Sequence, residues 1–155
     1  MAYVIRGLDP APFRRFYGMS DAELARHQAV RRRADASPGF PCRVTLEDAE
    51  PGEDLILLNY RHLAVASPYR ASYAIYVREG AEKAAEYHDA VPEQLSRRLL
   101  ALRAFDADGM LLRCEVIEGT ALAEMIEPWL DETGVAWLHA YNARPGCFAA
   151  RIDRA

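Results

Sequence analysis

Short apolar runs separated by turn residues make up most of the hydrophobic pattern of this chain. Residues 55–58, Leu-Ile-Leu-Leu, form an uninterrupted apolar run that follows Pro51 and Gly52. A short run bounded by turn residues is typical of a strand buried on both faces. Residues 73–77 are rich in aromatic and β-branched side chains and predict another strand. Residues 2–8 predict a further short strand.

A hairpin is predicted in the second half of the chain. Residues 97–105 and 110–117 are both strand-like, and the four-residue connection between them ends in glycine. In the second strand, Leu112, Cys114 and Val116 alternate with charged side chains. Alternation of this kind is typical of an antiparallel sheet with one solvated face.

A second hairpin is predicted at the end of the chain, with strands over residues 135–142 and 147–153. Its four-residue connection, Ala-Arg-Pro-Gly, pairs Asn142 with Cys147. Counting back from that pair places three more pairs opposite each other: His139 and Ala150, Trp137 and Ile152, and Tyr141 and Phe148. Directly opposed residues share a face of the sheet, so we expect His139 to lie among aromatic and aliphatic side chains.

Two main helices are predicted. Ser20 to Glu23 has the Ser-x-x-Glu form of a capping box, from which a helix is expected to run over residues 20–33. Residues 122–130 carry apolar side chains at helical spacing, and Pro128 is expected to kink this helix or restart it near its end. Residues 82–88 are ambiguous and are interpreted as a short additional helix.

These elements predict an α+β fold, in which an antiparallel sheet of several short strands and hairpins has two main helices packed on it. The 155 residues are expected to form a single domain over residues 1–155, and a hydrophobic content of 51% argues against disorder.

The net charge of −4 gives no electrostatic reason to bind nucleic acid or an anionic membrane. The chain start lacks a signal-peptide pattern, so a cytoplasmic location is expected.

The three cysteines, Cys42, Cys114 and Cys147, are far apart in the sequence and form no Cys-x-x-Cys motif. Neither a disulfide framework nor a zinc site is therefore expected, and no metal site is predicted. Cys42 and Cys147 each lie where a loop meets a strand, and Arg43 beside Cys42 is the only indication of a reactive thiol, so inert cysteines are the preferred interpretation. The common hydrolase, nucleotide-binding and metalloprotease motifs are absent from the sequence, so an enzymatic role and a cofactor stay open.

Polar side chains near the ends of the predicted strands indicate a small-molecule site. The predicted ligand-binding set has six members: Arg43, His62, Tyr69, Arg70, His139 and Asn142. Arginine recognises carboxylate and phosphate groups through its planar fork of donors, so the expected ligand is a small anionic molecule. The plainer alternatives are a hydrogen-bonded core histidine for His139, a surface loop histidine for His62, and arginines that are ordinary surface groups.

Six segments also carry a family resemblance: Pro41-Cys42-Arg43, residues 48–53, residues 57–60, Ser67-Pro68-Tyr69-Arg70, residues 103–106 and residues 139–147. They resemble a bacterial family that is catalogued as domain-of-unknown-function family 1203. The resemblance covers nearly the whole chain and implies a bacterial, cytoplasmic, single-domain protein. It transfers no activity, no substrate and no site residue.

Two hypotheses of different classes follow. The first is a protein, catalytic or not, that binds a small anionic ligand in a pocket lined by Arg, His and Tyr. It predicts that the six residues cluster in one concave site. The alternative is a non-catalytic interaction protein, a homodimer that pairs sheet edges or buries the aromatic side chains of residues 13–17 at the subunit contact.

Overall fold

The computed structural model describes residues 2–155, which form strands and short helices. The strands are β1 (Tyr3–Arg6), β2 (Val30–Arg33), β3 (Asp54–Leu63), β4 (Ala71–Arg78), β5 (Glu86–His88), β6 (Leu99–Phe105), β7 (Leu111–Glu118), β8 (Trp137–Asn142) and β9 (Cys147–Arg154). The α-helices are α1 (Asp21–Arg26), α2 (Glu93–Ser96) and α3 (Leu122–Leu130), and two 3-10 helices cover Ala11–Phe16 and Gly119–Ala121.

The strands form two sheets, and every strand ladder in them is antiparallel. The larger sheet has the order β5-β1-β9-β8-β6-β7, and the smaller has the order β2-β3-β4. The predicted antiparallel α+β architecture is confirmed in this form. The expectation of two main helices is not met, because α3 has nine residues whereas α1 and α2 have six and four.

The helix predicted over residues 20–33 is shorter than expected. The capping box is present, since the Ser20 hydroxyl accepts a hydrogen bond from the Glu23 amide and the Glu23 carboxylate accepts one from the Ser20 amide. The helix ends at Arg26, and Gln28 has a φ of 56°, which turns the chain away. The last four residues of the predicted helix, Val30–Arg33, form β2, because pairing with β3 outweighs local helix propensity.

The short helix predicted over residues 82–88 is also wrong. Glu86–His88 is the edge strand β5, which pairs with β1 through contacts distant in sequence. The aromatic side chains of residues 13–17 pack onto the core, because Phe13 and Phe16 are buried against the smaller sheet.

The final hairpin has the predicted register next to its turn and a different register farther along. Asn142 pairs with Cys147 and Tyr141 pairs with Phe148, as predicted. Beyond them the register shifts, so that Ala140 pairs with Ala150 and Ala149 is the extra residue of a β-bulge.

The bulge changes which residues face each other farther along the hairpin. His139 therefore lies opposite Arg151 rather than Ala150. Ile152 lies opposite Leu138 rather than Trp137. These two predicted pairs are wrong because the loop length fixes the register only as far as the next irregularity.

The two faces of the larger sheet carry different side chains because successive residues of a strand point to opposite faces. One face is covered by α3, whose Leu122, Ile126 and Trp129 pack in the same cluster as Leu100 and Leu138. The opposite face carries an aromatic group from β6, β8 and β9, and the end of β3 packs against it.

Strand β7 lies at the edge of the larger sheet and turns alternate apolar positions to solvent. Val116 is 66% exposed, and Leu112 and Cys114 are exposed as well. Arg113, on the other face, lies over the ring of Trp129 on α3. The alternation in this strand therefore leaves apolar side chains on its open face.

Gly7 follows β1 at a point where two other segments approach the backbone. A Cβ at this position would overlap the carbonyl oxygen of Val44. We expect Gly7→Ala to lower the free energy of unfolding by about 1–3 kcal/mol, because backbone must move to make room. Gly39→Ala is the matched control, since its nearest neighbouring atom is 4.0 Å from an added Cβ. Urea unfolding measures both, and equal stability of the two variants would contradict the prediction.

Candidate functional site

The loop that carries Arg43 is fixed against the smaller sheet by backbone hydrogen bonds. The Arg43 amide donates to the Tyr76 carbonyl on β4 at 3.0 Å, and Cys42 forms an isolated bridge with the same residue. Within the loop, the Cys42 amide donates to the Glu47 carbonyl at 3.0 Å. Arg43 is thereby held at the point where the smaller sheet meets the final hairpin.

The side chain of Arg43 crosses from this loop to β9. Its Nε donates to the Phe148 carbonyl at 2.7 Å, Nη1 to the Pro41 carbonyl at 2.5 Å, and Nη2 to the Cys147 Sγ at 2.9 Å. Arg43 is 1% exposed. Two of these hydrogen bonds tie the final hairpin to a buried guanidinium, and the third holds it to its own loop.

The charge of Arg43 has no carboxylate partner. Among residues 2–155, no Asp or Glu forms an ion pair with it, and two of its three acceptors are backbone carbonyls. Burial lowers the pKa of the guanidinium, the neighbouring Cys147 opposes that shift, and the positive charge of Arg98 adds to it. Burying a charge without a counter-charge costs several kcal/mol.

A cleft of about 530 Å³ opens beside Arg43. Its walls come from the start of β6, the middle of β4 and the turn of the final hairpin, and its volume is typical of a small-molecule site. The apolar wall includes Leu57, Tyr73 and Pro145. The charged lining consists of Arg43, Arg97, Arg98, Arg144 and Glu118.

Asn142 and Cys147 also line the cleft, as the pair that closes the final hairpin. The Asn142 Nδ2 lies 3.5 Å from the Cys147 Sγ. Asn142 is 5% exposed, and its Oδ1 is buried without a hydrogen-bond partner in the described part of the chain. Buried polar atoms are rarely left unpaired, so this unsatisfied oxygen is an unusual feature of the cleft lining.

Asp48 holds two of the arginines in place. It accepts hydrogen bonds from Arg98 at 2.9 Å and 2.5 Å and forms a longer ion pair of 3.4 Å with Arg97. Arg144 differs from both, because it is exposed in the hairpin turn and forms no ion pair with any residue of 2–155. Arg97 and Arg98 are therefore fixed donors, and Arg144 is a free one.

The structure divides the six residues of the predicted ligand-binding set among three regions and does not bring them together in one concave site. Arg43 and Asn142 line the cleft. His62 and His139 belong to the aromatic face of the larger sheet, where their ring centroids are 6.5 Å apart. Tyr69 and Arg70 are exposed in the loop between β3 and β4, with the Tyr69 ring 6.5 Å from that of Phe105.

The lining residues that the predicted set omits include Arg97, Arg98, Arg144 and Cys147. The predicted pairing of Asn142 with Cys147 already indicates that Arg144 and Cys147 share one end of the hairpin. No sequence signal brings Arg97 and Arg98 there, since Asp48 positions them from a distant loop.

The aromatic face holds two histidines in close contact with rings. His62 stacks on Phe148 with centroids 5.4 Å apart, and the His139 ring meets the same residue edge to face at 5.0 Å. The His139 Nδ1 lies 3.2 Å from the Tyr141 hydroxyl. His139 is thus a buried, hydrogen-bonded histidine, which is the plainer of the two alternatives given for it.

The family described as Protein of unknown function (DUF1203) matches residues 39–154. The chain belongs to this family. The match includes every residue that lines the cleft, from Gly39 to Cys147. No curated protein and no solved structure is significantly similar to the chain.

Other parts of the structure give less indication of a functional site than the cleft does. A wider cavity of about 980 Å³ is lined by charges of both signs. Within residues 2–155, no group of three or more His, Cys, Asp or Glu side chains is placed to hold a metal ion. In the same residues, no helix has the length and apolar character needed to cross a membrane.

The two histidines of the aromatic face are held neutral. Burial lowers the pKa of His139 to about 3, with further contributions from the positive charge of Arg151, from His62 and from the positive charge of Arg103. Burial also lowers the pKa of His62, and Arg103 adds to that effect. Both side chains therefore resist protonation in the folded state.

The depressed pKa of His139 predicts a pH-dependent stability. In the unfolded chain His139 takes up a proton near pH 6.5, whereas in the folded protein it does so near pH 3. Stability is therefore full above pH 6.5 and falls as the pH drops toward 3, by about 1.4 kcal/mol per pH unit for this side chain.

Urea unfolding across this pH range tests the contribution. We expect His139→Gln to flatten the pH dependence by about 1 kcal/mol per pH unit. His27→Gln, at an exposed position, is the control for removing a histidine. Parallel pH profiles for wild type and His139→Gln would contradict the assignment.

Proposed function

We propose that this protein binds a small anionic molecule, carrying a carboxylate or phosphate group, in the cleft beside Arg43. The observation that supports it is the charge of the lining. Four arginines border the cleft, and Glu118 is the one carboxylate among its described lining residues. Arginine is suited to planar, bidentate recognition of such groups.

The lining also defines what else the ligand carries. Arg43 has five N–H donors, of which three are used in the described structure, so two remain for an anion. The free Asn142 Oδ1 accepts a hydrogen bond and therefore favours a ligand with a hydroxyl or amino group. The apolar wall around Leu57 and Tyr73 accommodates a hydrocarbon portion.

The proposal retains Arg43 and Asn142 from the predicted set. Contact of His62, Tyr69, Arg70 and His139 with a ligand stays a prediction, and it would place the ligand on the aromatic face or in the loop before β4.

The three cysteines are free in the structure, which supports a reducing compartment and hence the proposed cytoplasmic location.

Thermal unfolding with added anions tests the cleft. We expect inorganic phosphate or citrate to raise the Tm above that measured in chloride of equal ionic strength. Arg144→Gln should weaken this binding about tenfold, because it removes a charged donor worth about 1.5 kcal/mol.

Two other substitutions complete the experiment. Arg26→Gln on α1 is the control, since this exposed arginine lies far from the cleft in the sequence and does not line it. Arg70→Gln tests the loop before β4. Anion binding that depends on Arg70 and not on Arg144 would move the ligand to that loop, and no Tm shift with either anion would refute the proposal.

We infer a second candidate function, homodimerisation, from the edge strand β7. A dimer that buries the aromatic side chains of residues 13–17 at the subunit contact is disfavoured, because Phe13 and Phe16 are already buried within the chain. In contrast, β7 is self-complementary. An antiparallel pair of β7 strands centred on Cys114 would place Leu112 opposite Val116 and Arg113 opposite Glu115.

Light scattering over a concentration series tests the β7 dimer. We expect a wild-type dimer and a monomeric Val116→Lys variant, because the substitution places a charge in the paired apolar strip. Val30→Lys is the matched control, since Val30 is another exposed valine on an edge strand, β2. A monomer at every concentration of wild type would exclude this function.

A further inference from the structure

Cys147 differs from the other two cysteines in its surroundings. Its Sγ lies 2.9 Å from the Arg43 Nη2 and lines the cleft, and the residue is 7% exposed. Cys42 is fully buried, and its sulfur accepts backbone hydrogen bonds from Thr45 and Arg78. Cys114 lies on the open face of β7.

The contact with Arg43 is chemically specific. Cys147 is the one hydrogen-bond acceptor of Arg43 that can ionise, since the other two are backbone carbonyls. Reactive cysteines are found in electropositive surroundings, and this guanidinium places a positive charge directly against the sulfur. A thiolate at this position would also supply the counter-charge that the buried arginine otherwise lacks in residues 2–155.

Asn142 provides an independent indication of a ligand at the same place. It is more than nine-tenths buried, lines the cleft, and has an Oδ1 without a partner in the described chain. Its Nδ2 is 3.5 Å from the Cys147 sulfur. A molecule that satisfies this oxygen is therefore held next to the thiol.

We propose that Cys147 is a nucleophilic thiol that reacts with small anionic electrophiles held by the arginines of the cleft. This inference rests on the proposed anion-binding function and names its substrate class. The sulfur attacks an electrophilic carbon and forms a C–S bond. The bond from that carbon to its leaving group breaks, the leaving group departs with the electron pair, and the thiol proton passes to solvent.

Arg43 and the outer arginines have separate roles in this reaction. Arg43 positions the sulfur and places a positive charge against it through their hydrogen bond. Arg144, which is free of ion pairs within residues 2–155, contributes to holding the anionic group. The reactivity of Cys147 should therefore depend on the charge of the reagent.

Iodoacetate and iodoacetamide form a suitable pair of probes, because they deliver similar groups and differ in charge. Peptide mass spectrometry gives the alkylation rate of each cysteine with each reagent. The urea-unfolded protein supplies the intrinsic ratio of the two rates. We expect folding to raise the iodoacetate-to-iodoacetamide ratio at Cys147 at least about tenfold, since a basic cleft concentrates anions.

Two further measurements separate this inference from the function on which it rests. Arg144→Gln should return the ratio at Cys147 toward that of the unfolded chain. If Cys147 stays unmodified in the folded protein while phosphate still raises the Tm, the nucleophile is refuted and anion binding stands. If Cys147 reacts with the unfolded-state ratio and phosphate gives no Tm shift, both are refuted.

Discussion

The arrangement of the two sheets depends on satisfying one buried guanidinium. Arg43 comes from a loop bonded to the smaller sheet, and two of its acceptors, Phe148 and Cys147, lie on β9 of the larger one. A buried charge with unmade hydrogen bonds is costly, so the sheets must meet where all its acceptors are in reach. The Gln94 side chain supports the same loop by donating to the Cys42 carbonyl at 3.1 Å. The cleft lies where these parts meet.

The bulge at Ala149 links this junction to the aromatic face. It interrupts the ladder next to Phe148, whose carbonyl oxygen accepts the hydrogen bond from Arg43 while its ring stacks on His62. Bulges commonly re-aim side chains beside functional sites. In this chain the bulge also brings Arg151 opposite His139, where its positive charge contributes to the low pKa of that histidine.

Local signals in the sequence predicted local structure well. The four-residue turn fixed the pairing of Asn142 with Cys147, whereas Ala149 and Ala150 gave no sign of a bulge. Residues 20–33 have a genuine capping box, yet pairing of β2 with β3 decides the second half of that segment. Prediction of the site was limited in the same way by contacts between residues that are distant in the sequence. Arg43 and Asn142 line the cleft, but Arg97 and Arg98 reach it through a contact with Asp48, some fifty positions away in the chain.

The cleft is better suited than the aromatic face to hold an anion, because the charges of the two regions differ. Burial and neighbouring positive charges keep His62 and His139 neutral near pH 7, so neither attracts an anion by charge. The arginine beside them, Arg103, is stacked over the Tyr141 ring with its guanidinium carbon 4.1 Å from the ring centroid. In the cleft, by contrast, Arg144 is unpaired within residues 2–155 and Arg43 has no carboxylate there. Positive charge without a carboxylate partner is therefore present at the hairpin end, beside the unpartnered Asn142 Oδ1 and the Cys147 thiol.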